Sequence, residues 1–207
     1  KKILIYPKTF HLTKNNSITN NITTISTEHQ KILSSLIISL SLNTSLKEII
    51  DTFYKNSSAR SFGINTNGLL PEACEKLVKS VLLDYPDISL KLSVSIDAIG
   101  EKHDEIRGIK GNFESVKKTI EKIKKISENY KNLDLRINLT YSSFNQNEIT
   151  DIIDYLKENF NLPVGIGLAR GNTRNSDAKN VTPEGYLKAC TYLKGKYDKK
   201  RKALDYF

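Results

Sequence analysis

Five short stretches of this chain have a period of two, and in four of them apolar residues alternate with polar ones. Leu90, Leu92, Val94 and Ile96 fall on one phase, with Lys91, Ser93, Ser95 and Asp97 on the other. Leu133, Leu135, Ile137, Leu139 and Tyr141 are likewise offset by one from Asp134, Arg136, Asn138, Thr140 and Ser142. Leu36–Leu42 and Phe62–Thr66 follow the same rule, while Val164–Arg170 sets Gly165, Gly167 and Ala169 on its second face. Successive side chains of a strand point to opposite faces, so each stretch predicts a strand with one greasy and one polar side. Ile3–Tyr6 has the pattern of a further short strand.

Between the strands the apolar period changes to that of a helix. Leu46, Ile49, Ile50 and Phe53 follow a Ser45-x-x-Glu48 capping box, and Pro71 fits the first position of a helix carried by Leu77, Val78, Val81 and Leu82. Phe113, Val116, Ile120, Ile123 and Ile126 form the stripe of a long helix, with Asn112 as its expected cap. Ile149, Ile152, Ile153, Leu156 and Phe160 form another, opened by an Asn145-x-x-Glu148 box. Thr182-Pro183 opens the last, whose expected buried face holds Tyr186, Leu187, Cys190, Leu193 and Tyr197. A charged turn is expected from Gly100 to Gly108. The order is strand–helix five times over, at the spacing a parallel crossover needs.

This predicts an α/β fold built on a parallel sheet. Strands buried on both faces read as unbroken apolar runs. Here the apolar set packs under the helices, and the polar set has two readings: an exposed sheet face, or the wet interior of a partial (β/α) TIM-like barrel with about five to six strands. Ser39, Asn65, Ser93, Asn138 and Thr140 share one phase and favour the barrel. Residues 1–31, rich in Asn, Thr and Ser, are expected to be partly irregular, and residues 32–207 to form the barrel.

Composition narrows the classes. The 207 residues are 38% hydrophobic and 27% charged, which suits a globular chain. No apolar run reaches the roughly 18 residues of a membrane span. Pro7, Lys8 and His11 interrupt any signal-peptide core, so a cytoplasmic location is expected. The net charge is +9, but its lysines (Lys117, Lys118, Lys122, Lys124, Lys125) sit on helix faces without interleaved aromatics, so neither a nucleic-acid nor a membrane partner is expected. Cys74 and Cys190 form no zinc or disulfide pattern and read as buried thiols, and the three histidines suggest no metal site. The chain starts with Lys and has no Met, which reads as a fragment or a processed product.

Thr66-Asn67-Gly68, then Ser93-Val-Ser95-Ile-Asp97-Ala-Ile-Gly100-Glu-Lys-His103-Asp104-Glu-Ile-Arg107-Gly108-Ile-Lys-Gly111-Asn112-Phe113, then Arg136-Ile-Asn138-Leu-Thr140, resemble the radical SAM superfamily. The closest likeness is to its SPASM and peptide-maturase branch. The resemblance covers about residues 36–200. It implies a partial (β/α)6 barrel that binds S-adenosylmethionine and a 4Fe-4S cluster at the strand ends. The cluster reduces the sulfonium to release a 5′-deoxyadenosyl radical. By resemblance, Ser95 would donate to the methionyl carboxylate, Arg107 would pair with it, Asp97 would face the cofactor, Asn138 would approach the ribose, and Asn67 would lie near the same pocket. Asp97 has the alternative of capping the next turn, and Arg107 that of an ion pair with Asp104 or Glu105.

The chain departs from the family at the cluster. The Cys-x3-Cys-x2-Cys run is absent, and a cluster needs thiolate ligands. Where the family carries Gly-Gly-Glu-Pro, this chain has Ser39-Leu-Ser-Leu-Asn-Thr44. The C-terminal auxiliary-cluster region is also missing. A truncated or frame-shifted product and a cluster-less descendant are both open. The expectation is an incomplete or degenerate radical SAM domain, inactive as it stands, with no catalytic and no metal-binding residue of its own. A non-enzymatic nucleotide- or peptide-binding barrel is an alternative. So is an unrelated TIM-barrel enzyme using Asp97 with Lys91 or Arg136. A peptide or small-molecule substrate is expected, and the oligomeric state is not defined.

Overall fold

A computed structural model describes residues 46–170 and 175–197 in full, and the backbone of His11–Leu12 and Ser35–Leu40. In chain order the elements are β1 (His11–Leu12), β2 (Ser35–Leu40), α1 (Leu46–Asn56), β3 (Ser61–Thr66), α2 (Pro71–Asp84) and β4 (Ser89–Ser95). Then come α3 (Glu101–Arg107), α4 (Asn112–Ser127), β5 (Leu133–Tyr141), α5 (Ile149–Asn159), β6 (Val164–Leu168) and α6 (Pro183–Tyr197). The sheet is parallel throughout and its strands lie side by side in sequence order. Four strands, β3–β6, are described in full against the five to six expected; the sheet reaches six only with β1 and β2, known by their backbone. The expected strand at Ile3–Tyr6, the Ser45 cap and most of residues 1–31 lie outside the described residues.

The parallel register sorts the side chains into rows. Phe62, Leu90 and Leu133 are partners across β3–β5, as are Ile64, Leu92 and Leu135. Val94, Ile137 and Val164 continue the pattern to β6. All of these are buried beneath the helices, against Ile50, Val78, Val81, Val116, Ile120, Ile123 and Ile153. Each such side chain contributes about 1.5–3 kcal/mol on burial. The alternate rows are polar and partly exposed: Gly63, Lys91 and Asp134; Asn65, Ser93 and Arg136; Ser95, Asn138 and Gly165.

The helices follow their apolar stripes, with two departures. The expected charged turn at 100–108 is the two-turn helix α3, whose His103 is packed into the core while Gly108–Gly111 beyond it stay exposed. In α6, Leu187 is 63% exposed instead of buried. The inward face is Gly185, Ala189 and Leu193, spaced one turn apart, because the Tyr141 hydroxyl comes so close to Gly185 that an added Cβ would lie 2.5 Å from it. Cys74 is buried, its thiol pushed up to about 12 by desolvation, whereas Cys190 is only half-buried. Among the described residues no helix is long and apolar enough to cross a membrane.

The turn after β3 is packed closely against α4. Gly68 has φ +68°, and a Cβ there would sit 2.7 Å from Val116 Cγ2. Gly68→Ala is therefore expected to lower stability by about 2 kcal/mol. Gly167→Ala, with nothing within 4 Å of the new Cβ, is expected to change it by no more than about 0.5 kcal/mol. Urea unfolding of the two variants checks the contrast.

Candidate functional site

A cavity of about 570 Å³ opens at the C-terminal ends of β4, β5 and β6. Asp97 beyond β4, Thr140 near the end of β5 and Ala169 beyond β6 form its floor, while Arg107 and Ile106 of α3 and Phe144 stand around it. The carboxyl ends of parallel strands are where α/β folds place ligands, because the loops there are free to vary over a rigid sheet.

Asp97 is the most constrained side chain of the cavity, 5% exposed. Its Oδ2 lies 2.7 Å from Arg107 Nη2, and its Oδ1 accepts from the Thr140 N–H at 2.9 Å. Asn145 holds the same corner from behind. Its Nδ2 donates to the carbonyls of Asp97 and Thr140, both at 2.7 Å, and its Oδ1 accepts from the Ser142 N–H at 2.9 Å. One buried amide thus ties the exits of β4 and β5 together. Such carbonyls have left the sheet ladder, and without a partner each costs about 1–3 kcal/mol when buried.

His103 fixes the other side. It is fully buried, and its Nδ1 accepts from the Asp97 N–H at 3.1 Å. The proton therefore resides on Nε2, which donates to Asn112 Oδ1 at 3.2 Å. Asn112 in turn donates through Nδ2 to the Asn67 carbonyl at 3.0 Å. The chain of bonds runs from the β4 exit through α3 and α4 to the β3 exit. Burial, and next the Arg107 guanidinium, hold the His103 pKa below its ordinary 6.5.

Two expected helix caps are overturned here. Asn112 does not cap α4; the Asp104 carboxylate does, accepting from the N–H groups of Gly111 and, at 2.8 Å, Phe113. Those bonds lower the Asp104 pKa, the Phe113 N–H first. Asn145 does not cap α5 but turns inward to Asp97, Thr140 and Ser142, and a short 3-10 turn (Gln146–Glu148) precedes the helix. In both cases a polar side chain with buried backbone groups within reach serves those groups instead of the helix end.

The five residues singled out in the sequence are divided by the fold. Asp97 and Arg107 meet in the cavity. Arg107 pairs with Asp97, not with Asp104 or Glu105, and its Nε is buried with no hydrogen-bond partner. Ser95 and Asn138 are register partners on the polar face of the sheet, half-buried and exposed respectively, outside the cavity lining. Asn67 also lies outside it, its Oδ1 accepting from the Leu69 N–H at 3.3 Å. Sequence reasoning missed His103, Asn112 and Asn145 as parts of the site. The signal for Thr140 was its place in the polar phase; His103 and Asn112 stood in the family-like motif, and Asn112 and Asn145 in cap-like contexts, but none of these showed a partner at the strand exits. The acid–base pairing of Asp97 with Lys91 or Arg136 does not form: Lys91 is six residues back along β4, roughly 20 Å away, and Arg136 bonds Asp134 at 2.7 Å.

The residues present do not fit an iron–sulfur cluster. The sequence has two cysteines, one in the core of α2 and one half-buried in α6, and a cluster takes three or four thiolates. Among the described residues no group of three His, Cys, Asp or Glu side chains is arranged to hold a metal.

No family model matches the chain. Over 117 residues, 56% of this chain, it is 29% identical to a probable GTP 3',8-cyclase of Methanococcus maripaludis strain C5. That stretch is 36% of the relative, so the chain matches about a third of the relative's length. The similarity supports the radical SAM superfamily and does not reach the peptide-maturase branch.

Asn145→Ala strands the carbonyls of Asp97 and Thr140 and the N–H of Ser142. The expected loss is about 3 kcal/mol of unfolding free energy. It should be read by urea denaturation, with faster amide exchange at Thr140 and Ser142 than in the parent chain.

Proposed function

We propose that this chain is a partial (β/α) barrel of radical SAM type whose mouth binds an adenosyl nucleotide, S-adenosylmethionine in that superfamily. The observation that carries the reading is the buried, unpartnered Nε of Arg107 beside the cavity. A buried donor left without an acceptor costs about 1–3 kcal/mol, and an anionic group of a ligand supplies the acceptor. The polar rows of Asn65 with Ser93, and of Ser95 with Asn138, lead along the sheet face toward the cavity floor.

In this reading Arg107 offers its guanidinium to the methionyl carboxylate while Asp97 holds it in place. Ser95 and Asn138 offer hydroxyl and amide groups to the carboxylate and the ribose. Thr140 and Ala169 close the floor, and Ile106 and Phe144 give an apolar wall for the flat base. The relative's name points to a nucleotide substrate, which agrees with a nucleotide-sized mouth. When bound, S-adenosylmethionine supplies a sulfonium-linked adenosyl group. Radical chemistry from it needs a cluster, which these residues do not hold, so the binding role is what is proposed for this chain. The peptide-maturase branch rests on the resemblance of the Thr66-Asn67-Gly68, Ser93–Phe113 and Arg136–Thr140 stretches alone.

Isothermal titration of the iron-free protein with S-adenosylmethionine tests the reading. Saturable binding is expected, weakened about tenfold or more in Arg107→Lys, which keeps a cation against Asp97 but loses the fork. Ser95→Ala should weaken it several-fold, about the value of one neutral hydrogen bond. Absence of saturable binding, or an Arg107→Lys variant that binds unchanged, overturns it. Reconstitution of the 207-residue chain with iron and sulfide is expected to leave it without the visible absorption of a cluster.

A further inference from the structure

His103 has one acceptor task and one donor task, and no spare site. Nδ1 takes the Asp97 N–H, and Nε2–H is given to Asn112 Oδ1. Asn112 has no freedom to reverse its amide, because its Nδ2 is committed to the Asn67 carbonyl. A second proton on the ring must go to Nδ1, where it meets another N–H. The ring is fully buried, so water cannot take over the lost bond without opening the corner.

We propose that His103 is a proton-controlled positioning residue: the neutral ring latches the β4 exit, and protonation frees the Asp97 backbone and with it the Asp97–Arg107 pair that faces the cavity. The consequence for ligand rests on the adenosyl-binding reading above; the latch itself does not.

The charged groups around the ring are few. From the β4 exit comes the Asp97 carboxylate, already paired with Arg107 at 2.7 Å. From α3 itself come Arg107, which disfavours the imidazolium, and Asp104, which favours it but is engaged as the α4 cap. From α4 come only Asn112 and the ring of Phe113, 5.8 Å away between centroids, both neutral. Burial and Arg107 outweigh the two carboxylates, so the folded protein holds its ring neutral to a lower pH than the unfolded chain does. With the folded pKa depressed below 6.5, the ring's contribution to stability is complete above about pH 6.5 and falls away as pH drops toward and through the folded value.

Nitrogen-15 NMR of the His103 ring in the full chain, from about pH 7.5 to about pH 4.5, reads the latch directly. The expected result is the Nε2–H tautomer, a midpoint below 6.5, and Asp97 amide protection, corrected for intrinsic exchange, that falls with the same midpoint. His103→Asn keeps an acceptor near the Nδ1 position but binds no proton, so its protection should stay flat over that range. In the ligand arm, S-adenosylmethionine affinity should weaken about tenfold between about pH 7.5 and about pH 5 in the parent and stay level in His103→Asn. An Nδ1–H tautomer, a midpoint at or above 6.5, or an equal fall of protection in His103→Asn overturns the proposal. If that variant does not fold, the tautomer and midpoint of the parent chain decide alone. If ligand binding is absent at every pH while the ring and the Asp97 amide behave as expected, the adenosyl-binding reading fails and the latch stands.

Discussion

A slip of one residue in any strand of this sheet would exchange its buried and exposed sides. Everything else depends on that register. With Leu90 opposite Leu133 and Phe62, the apolar rows run unbroken beneath the helices, and the polar rows run unbroken on the other face. The helices are held by the first set. Any ligand site on the sheet face is built from the second. The same period-two rule therefore separates what stabilises the fold from what is free to do chemistry.

The loops beyond the strands face a different constraint. Where the chain leaves β3, β4 and β5, its backbone groups lose their ladder partners while still buried. Three side chains take those groups up: His103 the N–H of Asp97, Asn112 the carbonyl of Asn67, and Asn145 the carbonyls of Asp97 and Thr140. The motif around His103 thereby gains a structural meaning. Its histidine and asparagine position the loop, its aspartate caps α4, and its arginine is left facing the cavity. The unpaired Nε of that arginine is the place where the loop's own bonding is incomplete.

The similarity to the Methanococcus maripaludis cyclase and the resemblance of the strand-end motifs both support the radical SAM superfamily. They part company with the chemistry at the cysteines. Cys74 lies in the core, where desolvation raises its thiol to about 12 and keeps it protonated. A thiol in that state is neither a ligand nor a nucleophile. The cysteines present therefore do not supply the thiolates that a cluster takes.

The alternation by itself determined the strands, their parallel arrangement and the helices between them, because burial of one face leaves a period that needs no tertiary information to read. It also brought out Asp97 as a polar residue at a strand exit, whereas Arg107 was singled out only by the family resemblance. It did not reveal that the two pair with each other, nor that Asn112 and Asn145, both in cap-like contexts, turn away from the helix ends. Nor did it show that α6 turns Gly185 and Ala189 inward in place of Leu187. The turned caps and the face of α6 were decided by groups that the local pattern does not show: the carbonyls of Asn67, Asp97 and Thr140, and the phenol of Tyr141. Local pattern fixes which face of an element is apolar. Which partner a buried polar group finds is settled only when the loops are brought together and every one of them must be satisfied at once.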